Sequence, residues 1–246
     1  MEIDQTMNRW FEEALTMLHD QSTRQSEIDG FCLGVVVSVK TYLNGTSLLL
    51  ENDFSFPAMA HLRIVAELIV KFLWCLQGKT DMEIQRRINR WEKTTFRKQK
   101  QLLQELVDVI DDNDLKLVFT NIIIKLDSKI KSNKEKEMPN TTGSGGLFEK
   151  TRNLFQRNVY PQAYQQFNPA VHIDTDTLKK ITASQQSKEG PIKDIKLTQC
   201  DKDNLKIFSL SFTYMVLKML YHHYQKNFGD FEKEYKEVIS YHTAKS

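Results

Sequence analysis

At 246 residues, with 40% hydrophobic and 27% charged residues, the chain has the composition of a globular protein long enough to bury a sizeable core. Its 34 Lys and Arg against 32 Asp and Glu leave a formal net charge of +2, which excludes a whole-chain electrostatic signature for an anionic partner. Only 9 Gly and 5 Pro punctuate the sequence, too few for a many-stranded protein, so long helices are the economical reading.

Trp10, Phe11, Ala14, Leu15 and Leu18 recur at three- and four-residue intervals and predict a first helix over residues 3–22. The run 31–43 is rich in Val and Gly; an apolar run of this length does not separate helix from buried strand, and it is read as helix, with a break at Asn44-Gly45 and Asn52. Ser55 as a cap and Pro57 in the first turn open a third helix that ends near Gly78. Thr80-Asp81-Met82-Glu83 matches a capping box and starts a long helix toward Ile110. Asp111 to Asp114 breaks it, and Leu115, Val118, Ile122 and Leu126 carry the next helix to about Lys131.

Residues 132–146 turn to Lys, Asn, Thr, Gly and Ser and read as a flexible loop, since few apolar side chains offset the entropy of ordering. Helix resumes over 148–159, and Asn168-Pro169 opens a further turn that carries His172. A second long loop, 184–200, leaves room for a short strand at 192–197. An apolar helix over 205–224 and a shorter amphipathic one over 231–241 complete the chain. The expectation is an all-α fold, a single domain over 1–246 built as a bundle of about eight helices, with the apolar third helix near its centre.

The acidic start Met1-Glu2-Ile3-Asp4 lacks the basic residues and apolar core of a secretory signal. The most apolar stretch, 62–76, is interrupted by Arg63, Glu67 and Lys71 and is too short to span a bilayer. Cys32, Cys75 and Cys200 are an odd number at wide spacing and form neither a disulfide framework nor a zinc pattern. A cytoplasmic protein without membrane, metal or cofactor is expected.

Three groups of residues carry chemistry. Arg63, Glu67 and Lys71 lie four apart on one helix face; the stripe is either the solvent side of a core helix or a buried pair able to hold a phosphate or orient a catalytic group. His172 falls in the first turn of its helix, where the macrodipole disfavours imidazolium, and a neutral imidazole can take the proton of an RNA 2′-hydroxyl; the alternative is a structural histidine. Tyr164 and Asp174 lie near it in sequence. Arg86, Arg90, Lys93, Arg97 and Lys100 form a basic ridge, roughly opposite Ile84, Ile88 and Trp91. It suits phosphates, or is a solvated face balanced by the acidic stretch 105–114. His222 and His223 are adjacent, diverge by about 100° on a helix and make a poor metal site. Thr141 to Gly146 lacks the ending of a phosphate-binding loop.

The run from Pro57 to Glu67, closed by Leu73-Trp74-Cys75-Leu76, and the run from Tyr160 to His172 together resemble a family of uncharacterised bacterial helical proteins that looks related to the HEPN domains. That resemblance implies a HEPN-like helical core, frequent homodimerisation, and RNA cleavage in toxin–antitoxin or antiphage systems, where a cognate inhibitor protein is a partner. On it, His172 is the general base, Arg63 stabilises the phosphate, Glu67 orients Arg63, and Tyr164 and Asn168 position substrate. Arg86, Arg90, Lys93 and Arg97 are further substrate contacts. One departure stands out: no arginine precedes His172 by four to six residues, as in active HEPN ribonucleases. Either Arg63 supplies that cation from another helix, or the fold serves as a non-catalytic module that binds a protein partner or nucleotide.

Overall fold

The computed structural model describes residues 2–21, 26–140 and 199–243. Among them are seven helices and no strand: α1 (Ile3–Gln21), α2 (Glu27–Glu51), α3 (Ser55–Leu76), α4 (Asp81–Val109), α5 (Asn113–Ser132), α6 (Gln199–His223) and α7 (Gly229–Thr243). The helices expected at 148–159 and near 168–172, and the strand expected at 192–197, lie outside the described residues. The chain divides into two compact units, Met1–Leu73 with Thr151–Ser246, and Trp74–Lys150.

In the first unit the periodic face of α1 becomes a buried stripe of Ile3, Met7, Trp10, Phe11, Ala14 and Leu18. It packs on α2 and α6, while α7 packs on α6. Polar contacts set the register. Asp4 accepts from Ser47 Oγ of α2 and pairs with Lys206 Nζ of α6, each at 2.6 Å. Trp10 Nε1 donates to Glu234 Oε2 of α7 at 2.8 Å, and its ring meets Phe231 edge-on at 5.7 Å. Within α3, Leu62, Val65, Ala66, Ile69, Val70 and Phe72 are fully buried, and Phe72 packs on Phe31 of α2.

The break expected at Asn44-Gly45 is absent: α2 runs through it as one helix of 25 residues. Gly45 is there for close packing, not for a turn, because a Cβ at that position would stand 3.0 Å from the His61 ring of α3. Thr46, fully buried, satisfies its hydroxyl by donating to the Tyr42 carbonyl at 2.9 Å. The true end is at Asn52-Asp53, where Asp53 takes a φ of 63° and Phe54 N donates to the Leu49 carbonyl at 2.8 Å, a left-handed helix stop. By length and composition α2 is also apolar enough to cross a membrane. One face of it, including Val35, Val36, Val39 and Leu43, is buried.

The second unit is an antiparallel hairpin of α4 and α5. Thr80 caps α4 by accepting from Glu83 N at 3.2 Å, and Glu83 reaches back to Lys79 N at 3.0 Å, one residue earlier than the standard capping box. Asp112 caps α5 by accepting from both Asp114 N and Leu115 N. Residues 133–138, expected as a flexible loop, instead lie along α4. Asn133 Nδ2 donates to the Asn89 carbonyl at 2.7 Å, Met138 N donates to Thr94 Oγ1 at 2.9 Å, and the Met138 side chain is nearly buried.

α6 ends like α2, with Gln225 at φ 52° and Lys226 N donating to the Tyr221 carbonyl at 2.8 Å. A side chain is strained in that conformation and glycine is not. Gln225→Gly is therefore expected to raise unfolding free energy by about 0.5–1 kcal/mol, read as a higher urea midpoint at unchanged slope. A lower midpoint would refute this account of the helix stop.

Candidate functional site

The three charges of α3 fall on one face because they are four residues apart. Arg63 is 7% exposed, which decides between its two readings: the guanidinium is enclosed rather than on a solvent face. Its Nε lies 3.3 Å from Glu67 Oε1, and Lys71 Nζ lies 3.8 Å from Glu67 Oε2, so one carboxylate serves two cations. Glu67 and Lys71 are only half-buried, which opens the outer end of the stripe to water. The cluster carries a net positive charge on an otherwise apolar helix. A guanidinium in that setting needs a fixed anionic partner, and Glu67 supplies one while keeping the fork oriented.

His61 precedes Arg63 by two residues and therefore points to a different side of α3. Its ring meets Tyr42 edge-on at 5.4 Å, and its Nδ1 is closed off from solvent without a hydrogen bond. No sequence pattern marks this histidine except Gly45, which makes room for its ring. Tyr164, Asn168 and His172, the other candidates of the catalytic set, lie outside the described residues.

Every member of the α4 ridge meets an acceptor of its own unit. Arg86 and Arg90 share Glu135 at 3.8 and 3.5 Å, and Arg97 pairs with Glu137. Lys93 Nζ donates to the carbonyls of Asn133 and Glu135 at 2.6 and 2.7 Å, and Lys100 pairs with Asp127 at 2.5 Å. The counter-charges thus come from α5 and the segment behind it, not from the stretch 105–114. An RNA strand on this ridge would have to displace them, which reduces the counterion release available to it.

A second polar cluster joins the start of α2 to the end of α6. Asp29 completes a capping box with Ser26, and Tyr224 OH donates to Asp29 Oδ1 at 2.5 Å. Burial works to raise the Asp29 carboxyl, but hydrogen bonds from Tyr224 and Ser26 overcome it and the net shift is downward. Burial also drives the Tyr224 phenol far above its ordinary range and pushes the Cys32 thiol up to about 12. Protonated at neutral pH, the thiol lacks the charge of a nucleophilic thiolate, and the hydrogen bonds of the cluster join the start of α2 to the turn after α6. Among the described residues no group of three or more His, Cys, Asp or Glu side chains is placed to hold a metal ion.

A sequence model described as a family of unknown function, DUF5677, matches residues 30–189. No curated protein and no solved structure matches the chain.

The Asp29 cluster makes a pH prediction. Its carboxyl is depressed in the folded state, so its contribution is present above the ordinary value of about 3.9 and is lost as pH falls through the folded value. Tyr224→Phe removes a hydrogen bond to a charged group and should cost about 1.5–3 kcal/mol at pH 7. The gap from wild type should narrow below about pH 4, as Asp29 is neutralised. Urea unfolding of both proteins across pH checks this; a gap that stays constant with pH contradicts it.

Proposed function

The chain belongs to the DUF5677 family, whose function is unknown, and from that premise we propose that it is a HEPN-like helical protein, a bundle of about eight helices, that acts on RNA in the cytoplasm. The observation that carries this reading is the enclosed Arg63, held by Glu67 and flanked by Lys71 on a core helix. Burying a guanidinium is costly even when paired, and an apolar side chain of similar volume would serve packing at least as well. A charge kept there is explained if it meets an anion during function.

The reaction this set supports needs no metal. His172 as a neutral imidazole removes the proton of a 2′-hydroxyl, whose oxygen attacks the adjacent phosphorus. The 5′-oxygen takes a proton from water and leaves as a hydroxyl, a 2′,3′-cyclic phosphate remains, and the His172 imidazolium returns its proton to solvent. Arg63 stabilises the charge that accumulates on the phosphoryl oxygens, Glu67 keeps the guanidinium aligned, and Tyr164 and Asn168 position the substrate. Arg86, Arg90, Lys93 and Arg97 contribute to binding only in competition with Glu135 and Glu137. A ribonuclease of this kind suits a toxin–antitoxin or antiphage role with a cognate inhibitor protein.

A specific observation bears on a second reading, a non-catalytic interaction module, and on the self-association that a HEPN-like ribonuclease would share with it. The α4–α5 hairpin exposes Leu102, Leu106 and Val109 on one helix and Leu117 and Ile124 on the other. Exposed apolar side chains on both helices suit an interaction surface, and a second copy of the chain is the occupant proposed. Leu117→Asp/Ile124→Asp should then convert a dimer to a monomer in light scattering at unchanged helicity; a wild type that is monomeric at high concentration argues against it.

Cleavage is tested by incubating purified protein with total RNA beside His172→Ala and Arg63→Ala. Wild type should leave cyclic phosphate ends, and His172→Ala should slow cleavage by about 10²-fold or more. No cleavage by wild type, or equal cleavage by all three, would sink the catalytic assignment.

A further inference from the structure

Between α6 and α7 lies a cavity of about 390 Å³, within the range of roughly 300–1,000 Å³ typical of small-ligand sites. One wall is aromatic. Tyr214 and Tyr235 stack at 4.2 Å with 20° between their planes. The pair is held in place on both sides: Tyr235 OH is 3.0 Å from Ser211 Oγ, and Phe228 packs on Tyr214 at 5.3 Å. Such a wall is preorganised, so a ligand orders little on binding. Leu73, Met215 and Met219 also line the cavity and supply apolar and polarisable surface, and methionine sulfur packs well against aromatic rings.

The mouth is cationic. Lys218 Nζ donates to Tyr214 OH at 3.1 Å and lies 5.4 Å from the centre of its ring, which puts an ammonium at the edge of the aromatic wall. Lys236 stands across from it, 3.2 Å from Glu232. The hydrogen bond from Lys236, with the charges of Lys218 and Lys236, holds the Glu232 carboxyl below its usual range. Two ammonium groups therefore face one carboxylate, with His222 also on the lining. A cationic ligand would be repelled, and an aliphatic acid would leave the stacked wall unused. Glu232 remains satisfied by Lys236 if an anion takes Lys218.

From this juxtaposition of an aromatic wall and a paired-lysine mouth, we infer that the α6–α7 cavity is a binding site for a planar aromatic anion of nucleoside monophosphate size. The ring lies among Tyr235, Met215 and Met219, and the anionic group sits between Lys218 and Lys236. The site does not depend on the RNA-directed reading, because it uses none of the residues assigned to cleavage.

Calorimetric titration of the full-length protein with AMP, adenosine, ribose 5-phosphate and an eight-nucleotide oligoadenylate tests it. AMP should saturate one site per chain, with adenosine and ribose 5-phosphate each weaker by about tenfold or more, since each lacks half of the recognised chemistry. Lys218→Glu, at an exposed position, should weaken AMP by about tenfold or more in a protein that keeps its helicity, and Lys218→Arg should restore most of it. The inference is overturned by absence of saturable AMP binding, by ribose 5-phosphate binding as well as AMP, or by AMP affinity that survives Lys218→Glu. Tighter binding of the oligoadenylate than of AMP, lost in Lys218→Glu, would also overturn it by assigning the cavity to RNA.

Discussion

An ion pair inside an apolar helix sets the terms for the rest of this protein. Leu62, Val65, Ala66, Ile69 and Val70 are fully buried around Arg63 and Glu67, so α3 must reconcile a core-forming surface with two charges. It does so by spacing. Four residues place the carboxylate one turn from the guanidinium, and the next four bring Lys71 to the carboxylate's second oxygen. At the enclosed end the guanidinium Nε meets Glu67, and the outer end keeps contact with water. The same helix seats His61 against Tyr42 and Phe72 against Phe31, so rotating α3 to expose its charges would also dismantle its packing on α2.

Elsewhere the charges are spent on assembling helices. Asp4 ties α1 to α2 and α6, Glu234 ties α7 to α1, and Asp29 helps cap α2 while accepting from Tyr224, just past the end of α6. In the second unit Glu135, Glu137 and Asp127 meet the ridge of α4. A near-neutral chain of this kind has little charge left over for long-range attraction of a polyanion. Local geometry must supply recognition, and among the described residues the α3 stripe and the tyrosine-lined cavity offer it.

Local signals were the legible ones. The stripe of Trp10, Phe11, Ala14 and Leu18 and the Thr80 cap need only neighbours along the chain, and both were readable from sequence. Where a distant partner decides, the sequence was silent. Asn44-Gly45 looks like a turn until His61 is seen filling the space that Gly45 leaves. Asp53 and Gln225 end helices in a conformation usually given to glycine, which no propensity rule flags. The polar run at 133–138 reads as linker because its anchors, Asn89, Lys93 and Thr94, lie about forty residues upstream. Tyr214 and Tyr235 form one wall only because α7 folds back on α6. Of the proposed catalytic set, Arg63 and Glu67 were legible as a pair from spacing alone, but whether the pair was enclosed was a property of the packing.

Whether the α3 charges exist for function or for packing is decided by replacing both with apolar residues of similar size. Cleavage of total RNA by a folded Arg63→Met/Glu67→Leu protein, with its urea midpoint measured alongside, is the direct measurement. The account predicts a midpoint equal to or above wild type, since a buried ion pair exchanged for packed apolar groups is often neutral or stabilising, together with loss of the cleavage it expects of wild type. Undiminished cleavage by that folded variant would contradict it.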